Sequence, residues 1–207
     1  MGTEIAFVIA LTVAVAAIFW LILRSASEKI IAQYRIFGEE LNLDLDIPES
    51  KLLGFVRNEP AAFGSYRGRE LSLSVPGKGL QNTRQIETVL KIELKDKKLR
   101  AQFTAAGLIG RFKQRDSGGM KRWKSGHSTF DQAIDVRSDH GDRLIKLLDQ
   151  ETLTWLESTL KTNKGSLYIG NGALVYTELG LISNEATRQR FTQVVEFLCD
   201  LAETVEA

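Results

Sequence analysis

From Ile5 to Leu23 the chain runs without a charge, and Thr12 is the one polar interruption. A helix rises about 1.5 Å per residue, so roughly 20 apolar residues in a row cross the hydrocarbon of a bilayer with every backbone group bonded internally. The run predicts a transmembrane anchor over residues 5–23. Ile5, Phe7 and Leu23 are its lipid-seated side chains, and Trp20 and Arg24 mark its inner boundary. A cleavable signal peptide would place positive charge ahead of a shorter apolar core and small residues at its end. Here Glu4 is the only charged side chain before the run, which closes on Trp20-Leu21-Ile22-Leu23-Arg24.

Arg24, Lys29 and Arg35 follow the span, whereas Met1-Gly2-Thr3-Glu4 precedes it. Positive flanks stay on the cytoplasmic side. The expectation is therefore a single-pass protein of the inner membrane, with its N-terminus outside and residues 25–207 in the cytoplasm. Cys199 is the sole cysteine, so no intramolecular disulfide forms, which suits a reducing compartment. Beyond the anchor about 180 residues remain, enough for one domain with its own core. With 43% hydrophobic and 26% charged residues and three prolines, the composition is that of a folded chain. A net charge of +1 gives no reason to expect nucleic acid as a partner.

Ser25-Ala26-Ser27-Glu28 has the spacing of a capping box, and Ile30, Tyr34, Phe37 and Leu41 recur at helical intervals. A juxtamembrane helix is expected to about Leu41, either continuous with the anchor or bent near the serines. Its apolar stripe suits packing onto the following domain or pairing with another membrane protein, and for the second role Tyr34 and Phe37 are the candidate contacts. Asp44 and Asp46 lead out of it without the Gly and Glu that an EF-hand loop needs.

The rest reads as α+β: antiparallel β-meanders covered by helices, one domain over residues 42–207. Pro48 and Pro60 bracket a short piece carrying Leu52, Leu53, Phe55 and Val56. Phe63 to Tyr66, Arg67-Gly68 and Leu71-Leu73-Val75 form a hairpin. Gly77 and Gly79 lack the rest of a dinucleotide fingerprint and make a turn. Ile86 to Leu94 alternates apolar and polar residues as a half-buried strand does. Leu99, Ala101 and Phe103 are expected to return beside it and complete a four-stranded meander. Phe130, Ala133, Ile134 and Val136 suggest a further strand. Helices start near Ser138 or Asp139 and at Asp149, the second stopping at Gly165. Asn171-Gly172 signals a two-residue hairpin turn. Ser183 is the expected cap of a final helix with Phe191, Val194, Val195, Leu198, Leu201, Ala202 and Val205 inside and Cys199 beside them.

Residues 107–128 form a basic, irregular loop. Arg111, Lys113, Arg115, Lys121, Arg122 and Lys124 are interleaved with Leu108, Ile109, Phe112, Met120 and Trp123, and only Asp116 opposes them. Such a mixture is a solvated connection, a contact for anionic lipid headgroups at the inner leaflet, or a docking patch for an acidic partner. The candidate contacts are Arg111, Phe112, Lys113, Arg115, Lys121, Arg122, Trp123 and Lys124.

No chemistry announces itself. Two histidines, His127 and His140, and one cysteine do not make a zinc site. Asp131, Asp135, Asp139 and Asp142 around His140 suit the capping and solvation of a strand-to-helix turn better than a cation or phosphoryl site. The order of elements, with Gly64-Ser65-Tyr66-Arg67-Gly68-Arg69 before an alternating strand, Thr83 leading a long strand and Phe130-Asp131 ahead of two short helices, resembles a loose class of uncharacterised bacterial single-pass membrane-anchored α+β domains. That resemblance implies a bacterial source and supplies no catalytic residues. The reading is a non-catalytic accessory or scaffolding subunit among other membrane protein subunits, with no cofactor and no metal. A tethered lipid-binding or sensory module is the alternative, and an unrecognised enzyme ranks behind both.

Overall fold

The structure is a computed structural model describing residues 2–49, 59–76, 86–106 and 119–207. Helix α1, Gly2–Leu41, is one uninterrupted rod of 40 residues. No bend occurs at the serines. Glu28 pairs with Arg24 at 2.8 Å on the helix surface, so the capping-box geometry is not adopted. Asn42 ends the helix at φ 52°, and the Leu43 N–H donates to Gly38 O at 2.8 Å, the Schellman closure.

Strand β1, Asp44–Asp46, follows at once, then β2, Ala61–Tyr66, and β3, Arg69–Ser74. Arg67 and Gly68, at φ 49° and 74°, make the tight turn between the last two. Strand β4 is Glu87–Glu93, β5 is Ala101–Ala105, β6 is Lys121–Trp123 and β7 is Ile134–Ser138. Between β6 and β7 lies α2, Ser128–Ala133, so the stretch read as one strand from Phe130 is a turn of helix running into a strand. Phe130 is the buried side chain of that helix. Helices α3, Gly141–Leu147, and α4, Gln150–Thr162, precede the hairpin of β8, Ser166–Gly170, and β9, Ala173–Leu179. Asn171 and Gly172, at φ 55° and 74°, form the turn that their residue types demand. Helix α5, Glu185–Glu206, closes the described chain.

The described strands make one antiparallel sheet in the order β1-β2-β3-β4-β9-β8-β5-β7-β6. The sequence-based placement of β5 beside β4 is corrected by this order. Strands β1 to β4 do meander, but β4 pairs with β9 along its whole length, from Glu87 with Leu179 to Glu93 with Ala173. The β8–β9 hairpin is thereby inserted between β4 and β5. Asp96 accepts the Lys98 and Leu99 N–H groups at 2.6 and 3.0 Å, a local turn that leads the chain away from β4.

One face of the sheet builds the core. Leu71, Leu73, Leu90, Ile92, Leu174, Tyr176, Leu167, Ile169, Phe103 and Val136 are buried there, together with Leu153, Leu156 and Leu160 of α4 and the full predicted stripe of α5. Asp149 caps α4 as its position suggests, accepting from Thr152 N at 2.8 Å. The α5 cap is Asn184, one residue later than expected, because its side chain reaches Thr187 N at 2.9 Å. Ser138 does not cap α3. Its hydroxyl donates to Arg100 O at 2.7 Å and accepts from His140 N at 3.0 Å, fixing the exit of β7.

Candidate functional site

The first half of α1 packs against nothing in the fold. Ile5, Phe7 and Leu23 are 59%, 68% and 42% exposed. Thr12 donates its hydroxyl to Val8 O at 2.8 Å, which satisfies the only polar side chain of the span within the helix itself. Arg24 lies 5.2 Å from the Trp20 ring, a cation over an indole at the end of the apolar run. This is one helix long and apolar enough to cross a membrane.

The second half of the same helix belongs to the domain. Ile30, Tyr34, Phe37 and Leu41 point into the core, with Tyr34 and Phe37 fully buried. Their assignment as contacts for another protein is therefore overturned: the helical stripe is filled by this chain's own sheet and by α5. Arg188 of α5, itself 9% exposed, bonds the Glu40 carboxylate and donates to Gln33 Oε1 at 3.2 Å, so α1 is held by charge as well as by packing. From Leu23 to Ile30 a helix advances only about 10 Å. The apolar run of the rod gives way to core packing within that distance.

The basic segment separates into parts. Arg111, Phe112, Lys113 and Arg115 lie outside the described residues, as do Leu52, Leu53, Phe55, Val56, Gly77 and Gly79. Lys121, Arg122 and Trp123 form β6, the last strand of the sheet, paired with Ser138, Arg137 and Val136. Lys121, Arg122 and Lys124 are exposed. Arg122 meets Asp135 at 2.9 Å. Trp123 is half-buried against the core, and its indole fits so closely over Gly141 that a Cβ there would come within 2.7 Å. Asp131 orders the loop beyond, accepting from Ser125 N, Ser125 Oγ and Gly126 N at 2.8, 2.9 and 3.2 Å. Burial works against its charge, yet these bonds hold the carboxyl below its usual range.

The aspartates around His140 have separate tasks. Asp135 pairs with Arg122 and Arg137, while Asp139 contacts His140 Nδ1 at 2.8 Å and Arg100 at 3.6 Å. Among the described residues no group of three or more His, Cys, Asp or Glu side chains is placed to hold a metal. Burial pushes the Cys199 thiol up to about 11, which leaves little thiolate near neutrality.

Two surface hollows stand out among the described residues. One of about 670 Å³ lies on the outer sheet face, where Phe63, Ser65, Ser72, Lys91 and Glu93 are among its lining. The other, of about 260 Å³, lies between α4 and α5 and includes Trp155 and Phe197, whose rings stack at 3.6 Å and 8°. Trp155 sits beside the α4 stripe in the sequence, but nothing there shows that Phe197, forty-two positions on, completes a pair.

No protein-family model matches the chain, and no curated protein matches it. Among solved structures, the crystal structure of the mycobacterial trehalose monomycolate transport factor A, TtfA, is similar with a TM-score of 0.57 over 84% of this chain and 95% of that one. The identity is 13%, so the likeness is one of fold.

Proposed function

We propose that this chain is a non-catalytic accessory or scaffolding subunit of a bacterial membrane protein complex, anchored in the inner membrane by α1 and presenting its α+β domain to partners on the cytoplasmic side. The observation that carries the reading is the double use of α1. One helix carries both an apolar run long enough to span a membrane and a wall of the core, which supports a domain held at a fixed attitude close to the bilayer. A flexible linker would let the domain wander; a continuous helix fixes which surface meets a neighbour. The transport factor TtfA, similar in fold, supports the analogy of a helper to a transport process. Purification from native membranes in mild detergent tests the proposal. Recovery of stoichiometric membrane proteins is the expected result, and a lone monomer with no partner overturns it.

A second reading is engagement of anionic lipid headgroups, favoured by the exposed Lys121, Arg122 and Lys124 along the last strand of the sheet. Liposome binding by a chain beginning at Ser25, abolished at high salt, would favour it, because screening shortens the reach of exposed charges.

A further inference from the structure

On the outward side of the helical layer, the groove between α4 and α5 is lined by Asp149, Glu151, Thr152, Trp155, Phe197 and Asp200, with Leu201 and Thr204 completing it. Its aromatic pair is only half-buried, and the ring planes lie 8° from parallel. Among the described residues three carboxylates line it and no lysine or arginine does. One of the three, Asp200, is paired with Arg67 at 2.7 Å, and that guanidinium also meets Glu203 at 2.7 Å and Glu196 at 3.3 Å, so one positive charge faces several carboxylates. This side of α4 and α5 therefore carries more negative than positive charge.

A half-exposed indole rimmed by carboxylates has one chemical preference. A guanidinium or ammonium gains from the π face and from the carboxylates together, and its aliphatic stem covers the rings. An anionic headgroup would be repelled by the same carboxylates, which sets this surface against the membrane and in favour of a protein. We propose that the α4–α5 groove is the docking site for a basic, partly apolar segment of a partner protein. The proposal rests on the accessory-subunit reading, and cytoplasmic segments of membrane proteins are rich in Lys and Arg near their spans, so its occupant is of a kind that reading supplies.

The test uses the full chain in nanodiscs of zwitterionic lipid and two fluorescently labelled amphipathic peptides, one of alternating Arg and Leu, the other of alternating Glu and Leu. Anisotropy is expected to show micromolar binding of the Arg peptide only, with empty discs as the blank. Glu151→Lys, on the rim, is expected to weaken it at least tenfold. Asp142→Lys makes the same charge change in the first turn of α3, outside the groove, and is expected to leave affinity unchanged. Equal weakening by the two variants, or binding no better than to empty discs, overturns the proposal. Partner recovery from native membranes reads the accessory role separately: partners retained with no peptide binding sink the groove alone, and peptide binding at the groove with no partner recovered sinks the accessory role alone.

Discussion

Arg69 and Glu206 join the start of β3 to the last turn of α5 through two parallel N–H···O bonds of 2.8 Å each. Both side chains are largely withdrawn from solvent, at 8% and 16% exposure. Glu206 also accepts the Lys95 N–H at 2.7 Å, so one carboxylate ties a helix end to two neighbouring parts of the sheet. Removing either partner leaves the other charge poorly solvated and unpaired, which is the costly way to break such a pair. Arg69→Ala is expected to lower the unfolding free energy by about 3 kcal/mol. Glu206→Ala should cost a similar amount, and the double variant less than the two added together. Urea titration in mild detergent measures all three, and strict additivity would contradict the coupling.

Acid should loosen this fold through a small set of carboxylates. The Arg143 guanidinium, 2.5 Å away, and the Leu99 and Lys98 N–H groups hold Asp96 well below the usual carboxylate range. Arg69 lowers Glu206, and the Thr152 N–H lowers Asp149. A carboxyl whose pKa is depressed on folding stabilises the fold above its unfolded value and loses that contribution as the pH falls through the folded one. Unfolded carboxyls titrate near 4, so stability is expected to be flat from about pH 7 to pH 5 and to fall below about pH 4. Asp96→Asn should be less stable at neutrality and show a shallower acid decline. An unchanged slope in the variant would remove Asp96 from this account.

Cys199 offers a probe of the intact core. It is buried on α5, and burial raises its thiol to about 11, so it stabilises the fold most below the ordinary thiol range and loses that effect as the pH climbs toward 11. Alkylation by iodoacetamide at pH 8 is expected to proceed only as fast as the domain opens, and to become rapid in denaturant. Immediate labelling of the native protein would mean that the α5 stripe is not packed as described.

Turn and helix-stripe signals in the sequence carried well, single cap positions less well, and distant pairings not at all. Asn171-Gly172 and Arg67-Gly68 mark their turns because positive φ is a property of those few residues. The α5 stripe follows from helical periodicity alone, and Asp149 from the needs of a helix start. The neighbour of β4 is different. Alternation in Ile86 to Leu94 says that one face is buried, not that residues 173–179 will pair there in preference to 101–105. The same limit explains Tyr34 and Phe37: an apolar stripe calls for cover, and only the fold shows that the cover is this chain's own core. The aromatic groove was invisible for that reason, since Trp155 and Phe197 meet only when two helices pack.

The burial of the second half of α1 ties the apolar half of the same helix to domain stability. Phe37 is fully enclosed, and truncating such a side chain removes its contacts and leaves a cavity, so Phe37→Ala is expected to cost about 4 kcal/mol. Tyr34 is equally enclosed, and its hydroxyl lies against that of Thr88, which itself donates to Gly180 O at 2.7 Å. Removing the Tyr34 hydroxyl gives up that contact together with its desolvation cost, so Tyr34→Phe is expected to change stability by no more than about 1 kcal/mol, far less than Phe37→Ala. A chain beginning at Ser25 keeps Ile30, Tyr34, Phe37, Leu41 and the Arg188–Glu40 pair, and is expected to unfold cooperatively in water. A chain beginning at Leu43 exposes the floor on which α1 sits and is expected to aggregate or unfold without a sharp transition. Thermal unfolding followed by circular dichroism separates the two, and equal stability of both chains would show that α1 is an anchor and nothing more.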